Sequence, residues 1–194
     1  SKCNSCRLGS SIEVFVGRGQ MMFFDAEQFW TEVLREASAE QTDTIVISSY
    51  GLYAGISDTG ENTAARYGFN NLQQKILDLS NADKKIVFLL SESDPIECCP
   101  ACPHCKAKND KRDNRTLAHL AHWPKVTWRM TTNSHLKSVL IKKKNGTIVG
   151  YTGGRNFSGS DWDDISLRLD YEDAKELFIR VMENIKSKSL PAEG

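Results

Sequence analysis

Apolar and polar positions alternate along Ile12-Glu13-Val14-Phe15-Val16, a period of two that predicts a strand. The period changes at Asp25. From there to Ala39, residues Phe29, Trp30, Val33, Leu34 and Ala37 recur at helical spacing, and Asp25 and Glu27 stand at the end of a helix that favours negative charge. Thr44-Ile45-Val46-Ile47-Ser48 reads as a short buried strand, and the small, polar stretch from Gly51 to Gly60 as a loop. A second helix is expected from about Ala64 to Ser80, with Phe69, Leu72, Ile76 and Leu79 on one face, followed by a buried strand at Lys85 to Leu90. Strand, helix, strand, helix, strand is the order of an α/β sandwich with crossover connections. The pattern breaks between Ser91 and Asp113. It resumes with a helix over Arg115 to His122, strands at Val126 to Met130 and 136–144, and Asn145-Gly146, the strongest short signal for a tight hairpin, before Thr147 to Tyr151. A strand at Ile165 to Leu169 and an amphipathic helix at Glu172 to Lys186, with Leu177, Phe178, Val181 and Ile185 inward, close the chain.

Composition narrows this to one domain over 1–194: the 194 residues, 40% hydrophobic, suffice for one packed core. Lys and Arg balance Asp and Glu at 25 each, so no global field advertises a polyanion and any basic surface must be local. Two clusters are candidates, Lys106 through Arg115 and Lys142-Lys143-Lys144; a solvated face is the alternative for either. No apolar run approaches the roughly 20 residues that cross a bilayer, and no secretory core is present, so a soluble, cytoplasmic protein without a membrane partner is expected. Met21-Met22-Phe23-Phe24 is the one exposed-looking apolar run, and core or interface packing accounts for it most simply.

Six cysteines bear on that compartment. Cys3-x-x-Cys6 and Cys102-Pro-His-Cys105 are each spaced as a zinc knuckle, and together they offer a closed four-thiolate site binding structural Zn2+ through elements at 1–10 and 91–113. Cys99-Pro-Ala-Cys102 offers an overlapping knuckle, and Cys98 or Cys99, Cys102, His104 and Cys105 a local alternative of three thiolates and an imidazole. Disulfides or free thiols remain open, though disulfides are uncommon inside cells and adjacent Cys98 and Cys99 pair poorly. His119 and His122 have a spacing open to a metal, but no Glu of a His-Glu-x-x-His motif accompanies them; half-buried or surface histidines before Trp123-Pro124 are the simpler reading.

The chemistry concentrates around the hairpin. His135 and Lys137, two apart on an extended segment, leave the same face. The chain then returns through Gly153-Gly154-Arg155-Asn156 to Asp163-Asp164. An imidazole, an ammonium, a carboxamide and a carboxylate are thus placed where one phosphodiester meets all four, and the glycine pair allows the backbone close to a bound group.

His135-x-Lys137 with Gly153-Gly154-x-Asn156 and a downstream acid resembles the phospholipase D-like (HKD) superfamily, whose pattern is His-x-Lys-x4-Asp followed by Gly-Ser/Gly-x-Asn. The element order fits, so the resemblance spans all but the cysteine segments, and it implies an α/β fold with a mixed, mostly parallel central sheet flanked by helices on both faces. Two departures stand out. Lys142 occupies the aspartate position, and the distance from His135 to Asn156 is about four residues longer than the common pattern, an excess that a longer hairpin absorbs. Restriction-nuclease-like branches also lack the aspartate. The superfamily builds one active site from two motifs; with one motif here, the resemblance implies a homodimer with its site on the two-fold axis.

In that frame His135 is the nucleophile toward phosphorus, and Asp164, where the superfamily carries its downstream acid, orients the imidazole, with Asp163 the alternative. Lys137 and Asn156 bind the non-bridging oxygens, where negative charge grows. The partner subunit's His135 protonates the leaving oxygen and later activates water. Gly153 and Gly154, with Lys142, Lys143 and Lys144, are the expected substrate-binding residues. The cysteine elements and both lysine clusters point to nucleic acid, with lysines tracking phosphates rather than reading bases. The expectation is therefore an endonuclease without a catalytic metal; a lipid phosphodiesterase and a non-catalytic nucleic-acid-binding module are the alternatives.

Overall fold

The computed structural model describes residues 21–49, 52–53, 72–91, 124–131, 134–155, 157–158, 164–187 and 190–191. Strand β1 (Met21–Phe23) leads into helix α1 (Ala26–Ser38), β2 (Thr42–Ser49), β3 (Leu52–Tyr53), α2 (Leu72–Asn81), β4 (Lys85–Ser91) and β5 (Val126–Thr131). The second half comprises β6 (Ser138–Lys143), β7 (Ile148–Gly153), β8 (Phe157–Ser158), β9 (Ser166–Arg168), α3 (Tyr171–Ser187) and β10 (Leu190–Pro191). The strand expected at Ile12 to Val16, the helix at Arg115 to His122 and all six cysteines lie outside the described residues, and so does the whole proposed zinc site.

Helix α1 begins where its sequence calls for it. Asp25 is the N-cap, its Oδ1 accepting from the Gln28 amide at 2.7 Å, and the helical period buries Phe29, Trp30, Val33 and Ala37. At the other end the Lys84 ammonium donates to the carbonyl of the C-cap Ala39 (2.9 Å) and to that of Thr42 (2.8 Å), tying the helix end to the start of β2.

The main sheet runs β1-β9-β7-β6-β2-β4-β5-β10, with β3 and β8 forming a separate parallel pair. Only β2–β4 and β4–β5 are parallel in the main sheet; its other neighbours are antiparallel. The sheet is mixed, as expected, but it is not mostly parallel. Parallel neighbours need a crossover, which α2 supplies between β2 and β4, whereas the short return after β6 brings β7 back antiparallel.

The β6–β7 return is a three-residue loop. Gly146, at φ +87°, donates its amide to the Lys143 carbonyl at 2.9 Å, and Lys143 closes on the Thr147 carbonyl at 2.8 Å. Asn145 accepts from the Thr147 amide at 3.0 Å, so asparagine and glycine both serve the turn, with glycine alone taking the left-handed conformation.

Alternation along the central strands divides the core. Ile45 and Ile47 of β2, Val139 and Ile141 of β6 and Tyr151 of β7 pack with α1 and α2 on one face. Val46, Leu89 and Leu140 meet Val181 of α3 on the other. Helices therefore cover both faces. Phe23 joins the first core whereas Phe24 is exposed, so core packing accounts for only part of the Met21 to Phe24 run. No helix among the described residues is long and apolar enough to cross a membrane.

Candidate active site

His135, Leu136 and Lys137 immediately precede β6, whose first residue is Ser138, two positions later than the strand boundary expected from the sequence. The alternation still holds. Leu136 packs on the α3 side, while the Lys137 ammonium lies 3.1 Å from Nδ1 and 3.2 Å from Nε2 of His135. Near-equal distances to two nitrogens place Nζ against the ring rather than on one lone pair. Lys137 also donates to the His135 carbonyl at 3.1 Å, and its own carbonyl accepts from Thr152 Oγ1 at 3.0 Å, which fixes the segment to β7.

The two side chains differ in exposure: His135 is exposed, whereas Lys137 is 7% exposed. Burial pushes the Lys137 ammonium below its ordinary pKa, and the nearby Asp164 carboxylate opposes that shift. Asp164 is itself oriented, its Oδ1 accepting from the Ile165 amide at 2.8 Å. An exposed imidazole, a desolvated cation and an anchored carboxylate thus share one end of the sheet.

The glycine pair serves a different partner from the one expected. In the β7–β9 register Gly153 faces Ser166, and a Cβ on Gly153 would stand 2.2 Å from the Ile165 carbonyl oxygen and 2.7 Å from Ser166 Cα. A Cβ on Gly154 would stand 2.3 Å from Asp164 Oδ1. The close approach is therefore to the chain's own 164–166 segment, with the Gly154 amide donating to the Ile165 carbonyl at 3.2 Å. The absent side chains make room for the acid.

Two alanine variants should separate accordingly. Gly153→Ala pushes against backbone, so denaturant unfolding should show a loss of about 1–3 kcal/mol. Gly154→Ala meets the Asp164 side chain rather than backbone and displaces that carboxylate from its place, so its cost should fall on activity more than on stability.

Arg155 is 7% exposed, and its Nη2 donates to the Phe24 carbonyl at 3.3 Å. It shares a cavity of about 10 Å³ with Lys137, Tyr151 and Ser166. Sequence reasoning did not single it out, although it stands inside the Gly-Gly-x-Asn run; burial of an arginine has no local signature. Asn156 and Asp163 lie outside the described residues.

The three hairpin lysines are not brought to this end. Lys142 and Lys143 end β6 and Lys144 follows it, whereas His135 and Lys137 precede it, and at about 3.3 Å per residue Lys142 is roughly 17 Å along the strand from Lys137. Lys143 is engaged with α1 instead: Nζ lies 3.0 Å from Glu36 Oε2 and donates to the Glu36 carbonyl at 2.9 Å and Thr42 Oγ1 at 3.1 Å. Glu32 extends this network, taking Arg168 at 2.9 Å. Strand length thus keeps these lysines away from the reacting groups, so contact with substrate there would be to phosphates remote from His135.

No protein-family model matches the chain. No curated protein matches it in sequence either. The structure is similar to that of NucT from Helicobacter pylori, with a TM-score of 0.58 and 11% identity over 89% of this chain and 98% of that one. Nuc from Salmonella typhimurium, a phospholipase D family member, gives 0.52 and 11% over 91% and 99%. Phosphatidylserine synthase from Haemophilus influenzae gives 0.51 and 14%, over 89% of this chain but 39% of its own.

Proposed function

We propose that this chain, which has the phospholipase D-like fold, is a phosphodiesterase that cleaves nucleic acid endonucleolytically through a phosphohistidine on His135. The observation that carries the reading is the Lys137 ammonium held buried against the His135 ring beside an anchored Asp164. A cation desolvated before substrate arrives is a preorganised site for developing negative charge.

The reaction has two displacements. A neutral nitrogen of His135 attacks phosphorus, the P–N bond forms as the P–O bond breaks, and the leaving oxygen takes a proton from the partner subunit's His135. That imidazole then accepts a proton from water, whose oxygen attacks phosphorus and releases His135. Lys137 and Asn156 take the non-bridging oxygens, and Asp164 favours the imidazolium. One imidazole must start neutral and the other protonated, so the pH profile of cleavage belongs to the pair. No step calls for a divalent metal.

Nucleic acid is favoured by the Lys106 to Arg115 cluster and by the paired cysteine knuckles, for which we propose structural zinc on Cys3, Cys6, Cys102 and Cys105. Metal analysis of the purified protein should return about one zinc per chain; none would leave disulfides or free thiols. A lipid phosphodiesterase is the second reading, drawing on the exposed Phe24 and Ile165 beside Asp164. Single- and double-stranded DNA, RNA and phospholipid vesicles incubated with protein in EDTA separate the two. Cleavage of a nucleic acid is expected, lost in His135→Ala, whereas binding without turnover overturns the enzyme reading and headgroup release alone transfers it to lipid.

A further inference from the structure

Three segments converge on one backbone atom. The Phe24 carbonyl accepts from Arg155 Nη2 at 3.3 Å and from the Asp164 amide at 3.5 Å, so the end of β7 and the approach to β9 are tied to the junction between β1 and α1. That junction is a firm support. Asp25 caps α1, and Phe23 pairs with Ser166 and packs against Phe29 and Tyr151, with ring centroids 5.9 and 6.3 Å apart. On its other side the same turn is held to the acid segment through the Gly154 amide and the Ile165 carbonyl.

We propose that Arg155 is a positioning residue for this site, fixing the end of β7 on the Phe24 carbonyl that the Asp164 amide also reaches, so that both are held to one support; this rests on the phosphodiesterase reading. Arg155 is nine-tenths buried and lines the same small cavity as Lys137, so its side chain runs through the interior to the Phe24 carbonyl rather than over the surface. A guanidinium suits the task because its planar fork holds a direction as well as a contact. An apolar side chain would fill the same volume without fixing the turn. A shift at the end of β7 would alter the packing of Gly154 on Asp164, and displacement by about 1 Å in such a site costs on the order of 100-fold in rate.

The test uses Arg155→Met in the full chain, with two readouts. Steady-state kinetics on a cleavable oligonucleotide should show kcat lowered about 100-fold with KM within about twofold. Amide hydrogen exchange, which needs no substrate, should show Gly154 and Asp164 exchanging at least about tenfold faster while β2 and β4 keep their protection. Unchanged kcat in an active protein overturns the proposal, as does unchanged exchange at Gly154 and Asp164. Acceleration of all amides in step also overturns it, since that is loss of global stability. Wild-type protein without turnover on any phosphodiester overturns the phosphodiesterase reading instead, and the exchange result then decides the role of Arg155 by itself.

Discussion

Replacing His135 by asparagine is expected to abolish cleavage and, with it, any phosphoryl label retained on the protein after a rapid acid quench. In the proposed mechanism the substitution removes nucleophile and general acid together, because both subunits carry it. A loss of about 10⁴-fold or more follows, at least about 5 kcal/mol of transition-state stabilisation. Asparagine keeps a polar side chain at an exposed position, so folding should be unaffected. Mixing makes the expectation quantitative. When wild-type and His135→Asn subunits exchange at equal amounts, a shared site leaves about a quarter of the activity, since only dimers with two imidazoles work; independent sites leave about half. A wild-type label that survives acid but maps to another residue would remove His135 as the nucleophile.

Lys137→Met should separate activity from stability in the opposite sense. The ammonium is buried against His135, and burial holds its pKa below the ordinary value of 10.5 despite the opposing Asp164. The charged form is therefore less favourable in the folded chain than in the unfolded one. Between the folded and unfolded pKa values the unfolded chain binds more protons, so stability rises with pH across that window. Below the folded pKa the penalty is present in full; above the unfolded pKa it is gone. Methionine fills a similar volume with an unbranched chain and carries no charge to desolvate. The variant should consequently unfold at or above the wild-type temperature at neutral pH, with the difference narrowing as pH approaches 10.5. Cleavage should fall by about 10²–10³-fold, because a preorganised cation beside the phosphoryl oxygens is lost. Melting curves across pH with matched activity assays check both halves; a variant clearly less stable at neutral pH would mean that the ammonium's hydrogen bonds outweigh its burial.

The elements read from periodicity were legible because each depends on its own residues. Phe29, Trp30, Val33 and Ala37 face the core for the same reason that they repeat at helical spacing, and Asp25 caps the helix it precedes. Strands β2, β4, β5 and β6 were likewise visible as apolar runs, and Asn145-Gly146 as their sharpest turn. Strand direction was not visible. An apolar run reads the same whether its neighbour is parallel or antiparallel, and most antiparallel pairs here, such as β1 with β9 and β2 with β6, join strands far apart in the chain. β1 also escaped notice, because a three-residue strand is too short to carry a period.

The site divides along the same line. By itself the sequence determined the chemistry available: an imidazole and an ammonium two residues apart, a glycine pair and a downstream acid, since local spacing sets which side chains share a face. Only the tertiary structure decided how those groups are used. It buried Lys137 against the His135 ring, turned the glycine pair toward Asp164, and joined Arg155 to the Phe24 carbonyl, 131 residues away. It also carried the hairpin lysines to the far end of β6 from His135 and set Lys143 against Glu36, 107 residues distant. Proximity between residues so far apart in the chain is created by sheet order and by packing of α1, and neither leaves a mark on the spacing of the residues that they bring together.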